Sequence, residues 1–432
     1  MSYDLYVEKP KGDVVTQLRL LASEENSTKA EKFIELVHEN RTYDTFINNE
    51  KETIWSLDLL PSSPDMSFLP LGSWFLQFKF TLATPWISKD DDPFYVAESV
   101  NPVRKDKVFK VPIMSAASWK GLLRWTLMHT RLAQRKDELT PERFAQEHFF
   151  QTLLFGDEQG EEPARAKGFA KYVDSLKPEA RLAYERMLRQ YYEVEEKDPL
   201  PHHKGRLHFY PTFFDQIDVE VINPHSRKTK AGTHPIYLEC VPAGATGTFT
   251  LLYAPLDSIG KDETETKQQA FSDLKLAAEG IQALLTIYGF GAKTSSGFGV
   301  AQDTVENSSL ELKIPGVEFS QERTPKFEEP EEVFQKYLDE TGQVKPVFTG
   351  KEKGDLLSNS QYKQSGEQHG GGSLSEFKRF RNWYLNYGED WQASLTRRAT
   401  LTDYPSLSFE NLNQLVDLCR NPLSNTTNGG AA

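Results

Sequence analysis

Cysteine is nearly absent from this chain: Cys240 and Cys419 are the only two in 432 residues. They are too few for a disulfide framework, and neither has the CxxC or Cys/His spacing that holds zinc. No run of about 18 apolar residues occurs, which excludes a membrane-spanning helix. Met1-Ser2-Tyr3-Asp4 lacks the basic-then-apolar pattern of a secretory leader. The glycosylation-type triplets Asn26-Ser27-Thr28 and Asn40-Arg41-Thr42 are therefore read as chance matches, and a reducing cytoplasm is the expected location. Positive charge is also short, with a formal net charge of -13. Proteins that coat nucleic acid without specificity carry the opposite sign, because phosphate neutralisation drives their affinity. No internal repeat of roughly 20–50 residues is present.

What is present is enough apolar material to fold. Hydrophobic residues make up 38% and aromatics 12% of the chain, and its length suits roughly two or three domains. The charge is uneven. Residues 101–125 hold six Lys or Arg and one acid, a local charge of +5. Acids gather elsewhere, at Asp157-Glu158, Glu161-Glu162, Glu195-Glu196, Glu328-Glu329 and Glu331-Glu332, and read as solvated faces. A subunit with one basic groove and an acidic remainder fits this distribution.

Residues 1–70 read as an N-terminal extension broken at Pro61-Ser62-Ser63-Pro64. From Ser73 to Leu82 the residues Trp74, Leu76, Phe78, Phe80 and Leu82 alternate with Gln77, Lys79 and Thr81, the period of a half-buried strand. Residues 83–112 form a long loop, a length often tied to function. Ser118 is placed to cap a following helix, with Leu122, Trp125, Met128 and Leu132 facing a core. Residues 157–204 read as a helical insertion, with a helix through Ala180–Glu196. Strands are expected at Leu207–Phe209, Ile236–Val241 and Thr248–Ala254. A helix over about 265–288, striped by Phe271, Leu274, Ile281 and Leu285, runs into a glycine loop at 289–299 and then a short strand. Residues 305–432 read as a C-terminal extension. It comprises a flexible Gly/Ser-rich linker at 350–373, a basic aromatic helix at 375–388 and a disordered tail from Asn421.

The glycine loop, Gly289-Phe290-Gly291-Ala292-Lys293-Thr294-Ser295-Ser296-Gly297-Phe298-Gly299, carries the sharpest chemistry. Glycines bare the backbone N–H groups and let phosphates approach. Lys293 adds a point charge, and Thr294, Ser295 and Ser296 add hydroxyls. The loop follows a helix and precedes a strand, the reverse of a dinucleotide fingerprint, and it lacks the Gly-Lys-Ser/Thr of a Walker A loop. A plain helix end followed by a tight turn is the structural alternative. In Ser118-Trp119-Lys120-Gly121-Leu122-Leu123-Arg124, a glycine near a helix start wastes helix propensity. That cost makes sense if a phosphate must come close. Lys120 and Arg124 lie four apart and are expected on one face; an ordinary amphipathic helix with solvated bases is the alternative.

In this order the pieces resemble the RAMP superfamily of CRISPR-associated proteins: a first strand, a long loop with Asn101-Pro102-Val103, the Ser-x-Lys-Gly…Arg helix, Leu154-Phe155-Gly156, Gly205-Arg206-Leu207 and the C-terminal glycine loop. Asn223-Pro224-His225, Pro235-Ile236 and Val241-Pro242-x-Gly244 resemble Cmr-type members. The likeness covers about residues 71–303. It implies an α+β chain with a ferredoxin-like (RRM-like) core at 71–304. The loop after the first strand would be a thumb. CRISPR RNA would lie between sheet and glycine loop, with target RNA and other type III CRISPR subunits as further partners. The residues then expected at RNA are Arg104, Lys105, Lys107, Ser118, Lys120, Gly121, Arg124, His225, Arg227, Lys228, Gly289, Gly291, Lys293, Thr294, Ser295, Gly297 and Gly299. The family's Pro-Gly-Ser before Ser-x-Lys-Gly is here Ser115-Ala116-Ala117.

Where related backbone subunits place an Asp that supports target cleavage, this chain has Val100, which neither binds metal nor takes a proton. The resemblance therefore implies a scaffold without a cofactor. The alternative is an endoribonuclease that binds Mg²⁺ at Asp90, Asp91 and Asp92, or one that processes guide RNA with histidine chemistry. His202, His203, His208, His225 and His234 cluster in sequence, without a clear catalytic pair.

Overall fold

A computed structural model describes residues 14–23, 29–57, 59–89, 100–157, 168–224, 232, 235–314, 330–339, 342–349, 356–400 and 406–420. Two compact units emerge, Met1–Glu318 with Pro405–Ala432, and Phe319–Tyr404.

The first unit starts with helices α1 (Val14–Ser23), α2 (Lys29–Ile34) and α3 (Thr42–Ser56). Their buried residues, among them Leu18, Phe33, Tyr43 and Ile47, recur at helical spacing. Strand β1 (Trp74–Leu82) follows, then β2 (Val100–Asn101) and β3 (Ile113–Met114). Helix α4 spans Ala116–Met128 and α5 Pro141–Phe155; the insertion adds α6 (Gly168–Leu176) and α7 (Arg181–Tyr192). Next come β4 (Leu207–Phe209), β5 (Thr212–Phe213), β6 (Asp218–Ile222), β7 (Ile236–Cys240) and β8 (Thr246–Tyr253). Helix α8 (Glu263–Ala283) leads through a wider turn, Leu284–Tyr288, to the glycine loop and β9 (Ala301–Leu312). The short strand expected after the loop is thus 12 residues long. It pairs along β1 over most of its length, and pairing rather than local pattern sets where a strand stops.

The main sheet runs β10-β9-β1-β8-β4, where β10 is Ser406–Leu407. All its neighbours are antiparallel. Trp74, Leu76, Phe78, Phe80 and Leu82 are fully buried on one face of β1, each burial stabilising by about 1.5–3 kcal/mol. On the other face Gln77 Nε2 donates to the carbonyl of Pro61 at 2.8 Å, and Lys79 pairs with Glu306 at 3.1 Å. Helix α4 lies over the buried face, with Trp119 edge-on to Phe80 at 6.1 Å. Helix α8 joins it there, since a Cβ on Gly280 would sit 2.8 Å from Leu127. A second sheet, β2-β7-β6, combines a parallel and an antiparallel pairing, and β3 pairs with β5.

Four expectations need correction. Ser115, not Ser118, caps α4: its side chain accepts from the Ser118 amide. Gly121 therefore lies in the second turn. Trp125, expected in the core, is 40% exposed, whereas Leu123 and Leu127 are buried. The inward face is the one that meets α8, where Leu123 and Leu127 fill the place of a side chain on Gly280. Residues 406–420, read as part of an extension, complete the first unit. β10 extends the sheet, and α11 (Leu412–Arg420) bonds to α8 through Asn413–Gln282 at 2.6 Å and Arg420–Glu279 at 3.5 Å.

The second unit corrects the flexible linker. Where residues 350–373 are described they fold. Helical turn α9 (Asn359–Gln361) carries a Ser358/Gln361 capping box, and Tyr362 is fully buried, stacked on Phe377 at 3.9 Å. Phe377 belongs to helix α10 (Leu374–Thr400). Phe334, Tyr337, Phe348, Phe380 and Trp383 complete this core. One aromatic ring in a glycine-rich stretch is enough to tie it to a hydrophobic cluster. The tail from Asn421 lies outside the described residues. Among the described residues, no helix is long and apolar enough to cross a membrane.

Candidate nucleic-acid interface

The glycine loop closes on itself at its neck. Gly289, Gly291, Gly297 and Gly299 all take positive φ, between 71° and 90°, a region costly for residues with a Cβ. The Phe290 amide donates to the Gly299 carbonyl at 2.9 Å, and a Cβ on Gly299 would lie 1.9 Å from the Phe290 oxygen. Gly291 approaches the segment just after β1: its Cβ would meet Trp86 Nε1 and the Ile87 oxygen at 2.5 Å. Ala292 N donates to Ile87 O at 2.7 Å and Gly299 N to Pro85 O at 2.8 Å. The neck is therefore locked to the start of the long loop.

The tip is open. Lys293 is left-handed and exposed, and Thr294–Ser296 make one short turn that ends at exposed Gly297. Within it Ser296 N donates to Lys293 O at 2.8 Å and Gly297 N to Thr294 O at 2.9 Å. Among the described residues, no acceptor meets the amides of Lys293, Thr294 and Ser295. Three N–H groups beside one ammonium form a small anion-attracting surface.

A buried aromatic pair places this loop beside α4. Phe290 is fully buried, its ring 4.9 Å from that of Trp119. Trp119 Nε1 in turn donates to Thr212 Oγ1 at 3.0 Å. The next residues, Lys120 and Gly121, turn outward as half-exposed and exposed positions. Ser118 is half-buried, with its hydroxyl 2.9 Å from that of Ser115. Burial, followed by the positive fields of Lys204 and Lys120, holds the His208 imidazole below its ordinary range. That places His208 in basic company at the sheet edge.

Two expected phosphate ligands point the other way. Lys105 is 5% exposed and ion-paired to Glu239, which also accepts from the Val103 amide at 3.0 Å. Arg124 is 8% exposed, its guanidinium 4.9 Å above the Phe169 ring of α6. Lys120 and Arg124 thus do not share a solvent face, because the insertion covers the side of α4 that bears Arg124. Arg104 and Lys107 are exposed. They flank a turn in which the Asp106 carboxylate accepts from Val108 N and Phe109 N at 2.8 and 2.9 Å. His225, Arg227, Lys228, Asp90, Asp91 and Asp92 lie outside the described residues. Among the described residues no cluster of His, Cys, Asp and Glu could hold a metal ion.

A family profile described as "RAMP superfamily" matches residues 79–302. The chain belongs to the RAMP superfamily. Two solved structures resemble this RAMP chain. One is the cryo-EM structure of the type III-B Cmr-beta bound to cognate target RNA, at 13% identity and TM-score 0.31, over 67% of this chain and 78% of the other. The other is Cmr6 from Pyrococcus furiosus, at 18% identity and TM-score 0.25, over 54% of this chain and 99% of that one. No curated protein sequence matches the chain.

Two further motifs of this RAMP chain are structural. A Cβ on Gly205 would lie 2.3 Å from the Phe155 carbonyl carbon, so Leu154-Phe155-Gly156 and Gly205-Arg206-Leu207 interlock. Arg206, 2% exposed, pairs with Asp257 at 2.7 Å and Asp273 at 2.9 Å and accepts no water-facing role. Burial alone would raise Asp257, but the hydrogen bonds and charge of Arg206, together with Tyr191, hold it below its ordinary range. Sequence reading also missed the aromatic group of exposed Trp125 with half-buried His129 and Tyr288, the last just before the loop. The spacing of Gly121, Trp125 and His129, four residues each, was the available signal.

Proposed function

We propose that this chain is an RNA-holding structural subunit of a type III CRISPR effector complex, working in the cytoplasm. In this reading β9-β1-β8-β4, with α4 and α8 on one face, is a ferredoxin-like core, and residues 83–112 form its thumb. CRISPR RNA runs past the glycine loop and the start of α4, target RNA pairs with it, and neighbouring subunits cover other faces. Sequence is then read by base pairing, while the protein holds the backbone. The proposal includes no catalytic step and no cofactor.

One observation carries it. The Phe290–Trp119 contact joins the base of a glycine loop, whose exposed tip bears Lys293, to the residue that precedes Lys120 on α4. Family membership supports the same reading. A net charge of -13 is compatible, because the cations required are local.

The test is binding of a guide-length single-stranded RNA to the full chain over a range of salt concentrations. K120E/K293E should weaken binding at least about tenfold. It should also flatten the slope of log K against log salt by about 1.4, the value for two phosphate contacts on a single strand. Unchanged affinity and slope, in a variant that melts like the parent, would refute the assignment.

A further inference from the structure

Helix α4 carries a glycine that the fold itself does not use. A helix-interior glycine lowers helix stability relative to alanine. Gly280 in α8 has an internal reason, since Leu127 and Leu123 fill the place of its side chain. Gly121 has none: a Cβ built on it would meet nothing within 4 Å, and the residue is exposed.

One turn further along α4 stands an exposed aromatic group. Trp125 is 40% exposed. The His129 ring lies parallel to it, with 5.0 Å between centroids and 6° between planes. Tyr288 meets both edge-on, at 5.4 Å from Trp125 and 5.5 Å from His129. Gln134 Nε2 bridges the Tyr288 hydroxyl at 3.4 Å and His129 Nε2 at 3.3 Å, so the three rings are held in place. Among the described residues, no other ring meets Trp125.

The geometry of a helix says which side of Trp125 is open. Each side chain leans over the turn N-terminal to its own Cα. His129 therefore covers one face of the indole, and the other face looks along the helix toward Gly121. There the missing Cβ leaves a gap bounded by an aromatic plane. Lys120 adjoins Gly121 in sequence, and Tyr288 runs directly into the glycine loop with Lys293 at its tip. A flat apolar surface next to Lys120 in sequence, on a helix joined to the glycine loop through Trp119 and Phe290, suits a nucleobase.

We propose that Trp125, buttressed by His129 and Tyr288, is a stacking platform for one unpaired base of single-stranded RNA, and that Gly121 is the opening through which the base enters. This rests on the RNA-holding reading above and adds a base contact to its phosphate contacts. Stacking tolerates any base, since every base presents a π face.

The experiment uses the full chain and a single-stranded RNA oligonucleotide carrying 5-iodouridine, read by affinity and by mapping photo-crosslinks. Trp125→Ala should weaken binding roughly 5- to 100-fold, the span expected for losing one stacked base, and Trp125→Phe should restore most of it. Gly121→Leu should weaken binding comparably while the melting temperature holds or rises, a split that a merely structural glycine would not produce. Crosslinks should fall on Trp125. The platform is wrong if Trp125→Ala and Gly121→Leu bind RNA like the parent with crosslinks elsewhere. It is equally wrong if those variants keep RNA but lose a neighbouring protein subunit. If the parent chain binds no RNA, both proposals fall. If K120E/K293E loses RNA while Trp125→Ala does not, only the platform falls.

Discussion

Gly205-Arg206 and Lys120-Gly121 look alike in sequence, each a glycine beside a base, yet the molecule uses them in opposite ways. At the first, the glycine is pressed against the Phe155 backbone and the guanidinium is sealed between Asp257 and Asp273. At the second, the glycine touches nothing and the lysine reaches solvent. The pair shows that a glycine–cation motif has no fixed meaning. A close backbone neighbour and two carboxylate partners turn Gly205-Arg206 into a keystone of the fold, whereas Gly121 meets no neighbour and lies exposed on α4. Lys105 and Arg124 repeat the lesson: both sit in the +5 stretch, and both are claimed by the interior.

If the inward motif is a keystone, Arg206→Ala should give the largest loss. It strands the buried Asp273 and leaves half-buried Asp257 unmatched, a change that costs about 3–5 kcal/mol, measurable by urea unfolding. A loss under about 1 kcal/mol would erase the contrast with Lys120. Within the glycine loop the same contrast can be sharpened. Gly299→Ala meets the Phe290 oxygen as well as an unfavourable φ, whereas Gly297→Ala meets only the φ of 85°. Gly299→Ala should therefore destabilise by more than the roughly 1–2 kcal/mol expected for Gly297→Ala, with melting temperature as the readout.

A last contrast, seen as a slope with pH, concerns the helical insertion that hides Arg124. Burial, then the charges of Arg124 and Arg181, push His148 down from 6.5 to about 3. The unfolded chain binds a proton at that imidazole below pH 6.5 and the folded chain does not. Stability is thus complete above about pH 6.5 and falls as the pH drops toward 3, at up to about 1.4 kcal/mol per unit. His148→Phe should flatten this slope in unfolding measured between pH 6.5 and 4. An unchanged slope would mean that the insertion does not bury His148 against Arg124.

Much of the architecture was legible because it repeats with a period. The alternation from Trp74 to Leu82, the stripe of Phe271, Leu274, Ile281 and Leu285, and the order helix–glycine loop–strand all stand in the structure. Superfamily membership was legible in the order of six short motifs, and the family profile covers residues 79–302. Finer placements failed where a distant element intervened. Leu123 and Leu127, not Trp125, turned inward against α8, and Tyr362 drew a glycine-rich stretch into a core; the cap moved only locally, to Ser115.

By itself the sequence determined the strands and helices that carry a strong apolar period, and the presence of a tight, glycine-bounded loop. Those follow from local geometry, which twenty neighbouring residues suffice to express. Only the tertiary structure decided which glycines and which cations face outward. A charge is buried or free according to the element laid across it, and that element comes from far along the chain: Glu239 for Lys105, Phe169 for Arg124, Asp257 and Asp273 for Arg206.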